Sequence, residues 1–179
     1  SYKISSPLNE LGSLVMDRRP CIQAEFGMKA PMIPVKVTIQ SPAGGTQNFD
    51  FEVFSNRQAT PYYIAYALKS VLRKTVTDVW DTTITARFAF DTRGAGRFVL
   101  NDYFFSRRGA AMGFNVAYTR GYRVLSFLMQ TPLGKVRLKR VQVSVKVEHK
   151  TRVADIHAVQ LPRSTVEAGA VLPVRVTLK

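Results

Sequence analysis

Cysteine is nearly absent from this chain, and its scarcity removes two explanations at once. The single Cys21 among 179 residues cannot close an intrachain disulfide, so the redox compartment is not legible from cysteine. A catalytic thiol needs a base beside it, and His149 and His157, the two histidines, lie far downstream on segments that alternate like strands. Cys21 is therefore expected to be a small core residue. One cysteine and two histidines do not supply the four N/S ligands of a structural zinc site, and no cofactor is implied. Long apolar runs are missing too. The uncharged stretches fall far short of the roughly 20 residues of a membrane-spanning helix, and no basic-then-apolar leader opens the chain.

The motifs that carry common chemistries are equally scarce. No Gly-x-Ser-x-Gly elbow, Walker loop, His-Glu-x-x-His or Cys-x-x-Cys occurs. Gly94-Ala95-Gly96 lacks the spacing and following helix of a dinucleotide loop and reads as a turn. The carboxylate pairs Asp50/Glu52 and Asp78/Asp81 are of a kind common on solvated strands and loops. Catalysis within the chain is not expected.

Acids are few, and they are distributed unevenly. Twelve Asp and Glu face 26 Lys and Arg, for a net charge of +14. Residues 103–152 hold eleven bases (Arg107, Arg108, Arg120, Arg123, Lys135, Arg137, Lys139, Arg140, Lys146, Lys150 and Arg152) and one acid, Glu148. That stretch carries +10 of the total, and its bases are the candidate partner-binding residues. Such a field concentrates polyanions near it, whether an acidic protein, an anionic lipid or polymer surface, or nucleic acid.

What is abundant is apolar patterning. Hydrophobic residues make up 46% of the chain, ample for a packed core. Val35, Val37 and Ile39 alternate against Lys36 and Thr38, and Phe49, Phe51 and Val53 against Asp50 and Glu52. Around Ser41–Gly45 these predict a hairpin with its apolar stripe in the core. Thr83–Phe90 and Arg97–Leu100 predict a second hairpin. Thr60-Pro61 predicts a helix start with Thr60 as N-cap, followed by Ile64, Leu68 and Leu72 at helical spacing. Tyr62, Tyr63 and Tyr66 are expected to pack against the sheet.

Residues 110–129 fit either a helix face or two strands, with helix preferred. Val141, Val143, Val145 and Val147 predict a strand within 135–150. Val136 and Leu138 sit on the opposite parity, which predicts a bulge near Lys139-Arg140. Strand patterns resume at Ile156 and again at Leu172–Leu178. The expected class is α+β, mainly antiparallel sheet with one or two helices. An α+β domain is expected over 1–152 and closing strands over 153–179.

The opening segment Pro7-Leu8-Asn9-Glu10-Leu11-Gly12-Ser13-Leu14-Val15-Met16-Asp17-Arg18-Arg19 continues with Cys21-Ile22, Gly27 and Ala30-Pro31-Met32-Ile33-Pro34-Val35. It resembles the region just downstream of the peptidase domain in bacterial proteins of the stage-IV-sporulation-B serine-peptidase type. The resemblance continues through Thr60-Pro61 and its helix, and through Val159-Gln160-Leu161-Pro162-Arg163-Ser164-Thr165-Val166-Glu167-Ala168-Gly169. It implies the non-peptidase C-terminal portion of an extracytoplasmic envelope protein, with closing strands that resemble the start of an immunoglobulin-like module. The family's catalytic serine turn and upstream histidine have no counterpart here, so no catalytic residue carries over. Arg19, Cys21 and the basic stretch depart from the pattern. Three readings follow: a non-catalytic structural or protein-interaction module, a nucleic-acid-binding protein with Tyr118, Tyr122 and Phe127 as stacking groups, or an accessory part of a serine peptidase.

Overall fold

A computed structural model describes residues 9, 11–77, 80–110, 119–132 and 136–179. In chain order the elements are β1 (Gly12–Arg18), β2 (Cys21–Phe26), β3 (Met32–Ser41), β4 (Gly45–Phe54), α1 (Ala59–Thr75), β5 (Thr82–Arg93), β6 (Arg97–Ser106), α2 (Arg120–Gln130), β7 (Arg137–Glu148), β8 (Ile156–Gln160) and β9 (Arg175–Leu178). Five strands form one sheet in the order β4-β3-β7-β5-β6. Its pairings are antiparallel except β3 with β7, which is parallel. The fold is α+β with mainly antiparallel sheet, as the patterning predicts.

Alternation decides which side of this sheet is dry. Val37 pairs with Val143, Val143 with Phe88, and Phe88 with Leu100, so one apolar row crosses four strands. Ile64, Leu68 and Leu72 of α1 and Leu125 and Met129 of α2 close over that face. Residues one position out of step, such as Thr38, Ser144 and Arg87, lie in a second row on the uncovered face. The result is two layers, helices on one side of a sheet.

The parity change in β7 is a bulge, as expected. Asp91 pairs with Arg140, but its neighbour Thr92 pairs with Leu138, leaving Lys139 as the extra residue. The bulge returns Leu138 to the apolar side, where it packs against the core.

The start of α1 differs in detail from the sequence reading. Thr60 is a fully buried residue inside the helix, not its cap. Asn56 does the capping: its Oδ1 accepts from the backbone N–H groups of Gln58 (2.9 Å) and Ala59 (3.0 Å). The Thr60 hydroxyl instead accepts from Asn56 N–H (2.7 Å) and donates to the Phe54 carbonyl (2.8 Å), tying the helix to the end of β4. Pro61 still falls in the first turn, where a missing N–H costs nothing.

Arg57, in the same connection, joins the two helices. Its Nε donates to the Met129 carbonyl at 2.9 Å, and its Nη2 to those of Gln130 (3.3 Å) and Thr131 (3.0 Å). A cation thus satisfies the orphan carbonyls at the C-terminus of α2. Arg57→Met keeps the stem and removes the fork. It should lower stability by about 1–2 kcal/mol, the scale of one charge-assisted cap, and lower Tm by several degrees in calorimetry. An unchanged Tm would mean that water caps α2 equally well.

Helix α2 resolves part of the ambiguous stretch in favour of helix, and residues 111–118 lie outside the described set. Thr119 is its N-cap, accepting from Tyr122 N–H at 2.9 Å. Asp102 on β6 is buried beneath its first turn. One carboxylate oxygen accepts from Arg120 Nε at 3.0 Å and the other from the Gly121 N–H at 3.2 Å. An anion at a helix N-terminus is favourably placed. Neither α1 nor α2 is long and apolar enough to cross a membrane.

Among the described residues, every buried one lies between Ile33 and Val147. The antiparallel ribbons β1–β2 and β8–β9 stand outside the five-stranded sheet and add nothing to its core. Cys21 sits in the first ribbon and is exposed, contrary to the expected core role. The physical reason is simple: no residue of β2 is covered on either face.

Candidate binding surfaces

The ten described bases of residues 103–152 do not form one patch in space. Strand β7 runs between two ends of the sheet, and its register with β5 sorts the charges. Arg107 and Arg108 follow the end of β6. Lys150 and Arg152 follow the end of β7, at the same edge, because Thr82 pairs with Ser106 and Thr83 with Glu148. There the Thr83 hydroxyl donates to the Lys150 carbonyl (2.6 Å) and accepts from Arg152 N–H (3.2 Å). An open groove of about 530 Å³ is lined here by Asp81, Phe105, Arg107, Thr151, Val153, Asp155 and Lys179, so acids temper its charge.

Ion pairs engage several of the remaining cations. Glu148 receives both Lys146 (3.3 Å) and Arg152 (3.1 Å). Arg120 is committed to Asp102. Arg123 is exposed on α2, and Lys135 lies outside the described residues.

At the opposite end of the sheet, Arg137, Lys139 and Arg140 are exposed together. Pairing of Arg93 with Arg137, and of Asp91 with both Arg97 and Arg140, brings two further cations beside them. Arg97 lies 3.6 Å from Asp91 and donates to Gln142 Oε1 at 3.0 Å. Five cations thus gather near Asp91 across three adjacent strands, and Arg140 also lines a pocket with Asp50 and Glu52. Arg93 and Arg97 escaped the sequence reading because they lie outside the 103–152 window. The signal was present in the hairpin turn itself: Gly94 and Gly96, both with positive φ, fold Arg97 back beside β5, whose last residue is Arg93.

A second surface lies on the helices. The expectation that Tyr62, Tyr63 and Tyr66 pack on the sheet is overturned, for they are 54%, 48% and 67% exposed. Ile64, Leu68 and Leu72 take the sheet-facing stripe of α1, which turns the tyrosines outward. Tyr62, Tyr66, Lys69 and Arg73 recur at helical spacing and share the outer stripe. On α2, Phe127 is 63% exposed and shares its outer stripe with Arg123. The rings of Tyr62 and Tyr122 meet edge-on, 6.0 Å between centroids at 67°. Burial, and then a hydrogen bond with the Tyr62 hydroxyl, push the Tyr122 phenol above its ordinary pKa. Tyr118, the third proposed stacking group, is outside the described residues.

Neither helix contains an Asp or Glu, so this layer presents aromatic rings and cations without a surface acid of its own. The uncovered face of the sheet, by contrast, mixes Asp50, Glu52 and Asp91 with Lys36, Arg87 and Arg140. Comparison with protein-family models, curated proteins and solved structures finds no match to this chain.

Proposed function

We propose that this chain is a non-catalytic structural and protein-interaction module of a bacterial envelope assembly, bound by partners through its apolar ribbons and its cationic surfaces. The observation that supports this best is the distribution of uncovered apolar side chains. Of the 24 large hydrophobic residues exposed among the described residues, 16 fall in 11–32 and 153–178, the segments flanking the core. Phe26 and Val171 are more than four-fifths exposed. Apolar surface gathered in this way is characteristic of contact sites rather than of solvated scaffold. Assignment to the envelope, and to a region beside a serine peptidase, rests on the resemblance of residues 7–35, of Thr60-Pro61 with its helix, and of residues 159–169.

The basic end of the sheet favours a second reading, nucleic-acid binding, since Arg93, Arg97, Arg137, Lys139 and Arg140 gather there on three adjacent strands. The two readings separate in one experiment. Native mass spectrometry of the protein taken from its source cells should find it within a larger chain or in a stoichiometric protein complex. A species of 20.1 kDa carrying nuclease-sensitive mass would replace the module reading with the nucleic-acid one.

A further inference from the structure

From the acid-free helix layer we infer that α1 and α2 together form the docking face for an acidic protein segment, one that carries apolar side chains among its carboxylates. The inference rests on the interaction-module reading and assigns it a surface other than the β7 cations. Three features lead to it.

The first is charge. Helices α1 and α2 hold Lys69, Arg73, Lys74, Arg120 and Arg123 and no acid, while Asp102, the one buried carboxylate among the described residues, is paired with Arg120. Any anion approaching this side meets no like charge from either helix.

The second is the arrangement of that charge. The first ten residues of α1, Ala59 to Leu68, are uncharged, as are the last seven of α2, Val124 to Gln130. The cations of α1 are confined to its C-terminal half, and those of α2 to its first turn. Between them lie Tyr62, Tyr66 and the half-buried Tyr122. An aromatic centre with a cationic rim is the composition of protein–protein hot spots, in which Tyr and Arg dominate. A nucleic-acid strand would favour a continuous track of cations along its phosphates instead.

The third is what the tyrosines do without a partner. Three of them stand on one helix at about half exposure or more, although Ile64, Leu68 and Leu72 already fill the sheet-facing stripe. None of the three belongs to the core cluster, although Tyr62 meets the half-buried Tyr122, and phenol rings on a rigid helix make effective anchors for a bound chain.

The test uses the whole chain and a fluorescein-labelled peptide of alternating Glu with Leu or Phe, read by anisotropy beside an oligothymidylate of similar length. Wild type should bind the peptide more tightly than the oligonucleotide. Tyr66→Ala and Arg73→Glu should each weaken the peptide at least about tenfold, the effect of a hot-spot residue, with unchanged thermal melting. The double reversal Arg137→Glu/Arg140→Glu should leave peptide binding within about twofold. Three outcomes overturn the inference: no peptide binding, loss only in the sheet-end variant, or tighter oligonucleotide binding that depends on Tyr66. In the first two cases a stoichiometric protein complex in the native mass measurement would still uphold the module reading.

Discussion

Gly121→Ala should destabilise the domain by about 2–4 kcal/mol, although alanine is the better helix former by about 1 kcal/mol. The added methyl would lie within 2.8 Å of three ring carbons of Phe88, closer than real contacts sustain. Phe88 cannot retreat, because it is 2% exposed and stacked beside Phe90, itself 1% exposed. The helix must move instead, and its first turn is held by the Asp102 carboxylate through Gly121 N–H and Arg120. Overpacking of this kind costs about 1–3 kcal/mol, and strain on a buried charge-assisted hydrogen bond adds to it. These terms outweigh the propensity gain. Chemical denaturation measures the balance, and a Gly121→Ala protein as stable as wild type would show that α2 can slide away from β5 freely.

A larger loss is expected from Val145→Asp, which should leave no folded protein. Val145 is 2% exposed in the central strand, between Ile39 of β3 and Ala86 of β5. Among the described residues no Lys or Arg is buried, so the new carboxylate must either bury its charge unpaired or be protonated at a cost exceeding about 4 kcal/mol. The neighbouring substitution Ser144→Asp provides the control. Ser144 is exposed on the opposite face and paired across strands with Arg87, so an acid there should change stability by no more than about 0.5 kcal/mol. Circular dichroism of the two variants decides the matter: a folded Val145→Asp protein would contradict the assignment of the faces.

How legible all this was depends on which interactions are local. The alternation of Val35–Ile39 and Val141–Val147 identified β3 and β7 and their buried faces, because a period of two leaves one side to the core. The shift from Leu138 to Val141 located the bulge for the same reason. Alternation does not reveal neighbours, however. Arg93 and Arg97 join Arg137 through strand pairing over forty residues of chain, and a sliding count of charge passes over them. The same count merged Arg107, Arg108, Lys150 and Arg152 with Arg137–Arg140, which register places at opposite ends of β7.

Cys21 and the α1 tyrosines were misplaced for a related reason. Residue type reports a preference for burial, but cover comes from other elements, and β2 has none. Thr60, directly before Pro61, has the sequence pattern of a cap. Asn56 takes that role because its side chain reaches two free N–H groups from one turn earlier. Asp102 gave no sequence signal, since its partners lie 18 and 19 positions away.

The parallel pairing of β3 with β7 has a mechanical consequence. These are the strands by which the chain enters and leaves the folded core, and they lie side by side over six paired positions, Val35–Gln40 against Val141–Lys146. Because they run the same way, the β1–β2 ribbon leaves one end of the sheet and the β8–β9 ribbon the other. A pull applied between the two ribbons would therefore load that ladder in shear. Its hydrogen bonds would share the force together instead of opening one after another like a zip. The core would yield only when β7, the central strand, slid past β3, and resistance to that event is set by the rate of unfolding rather than by equilibrium stability.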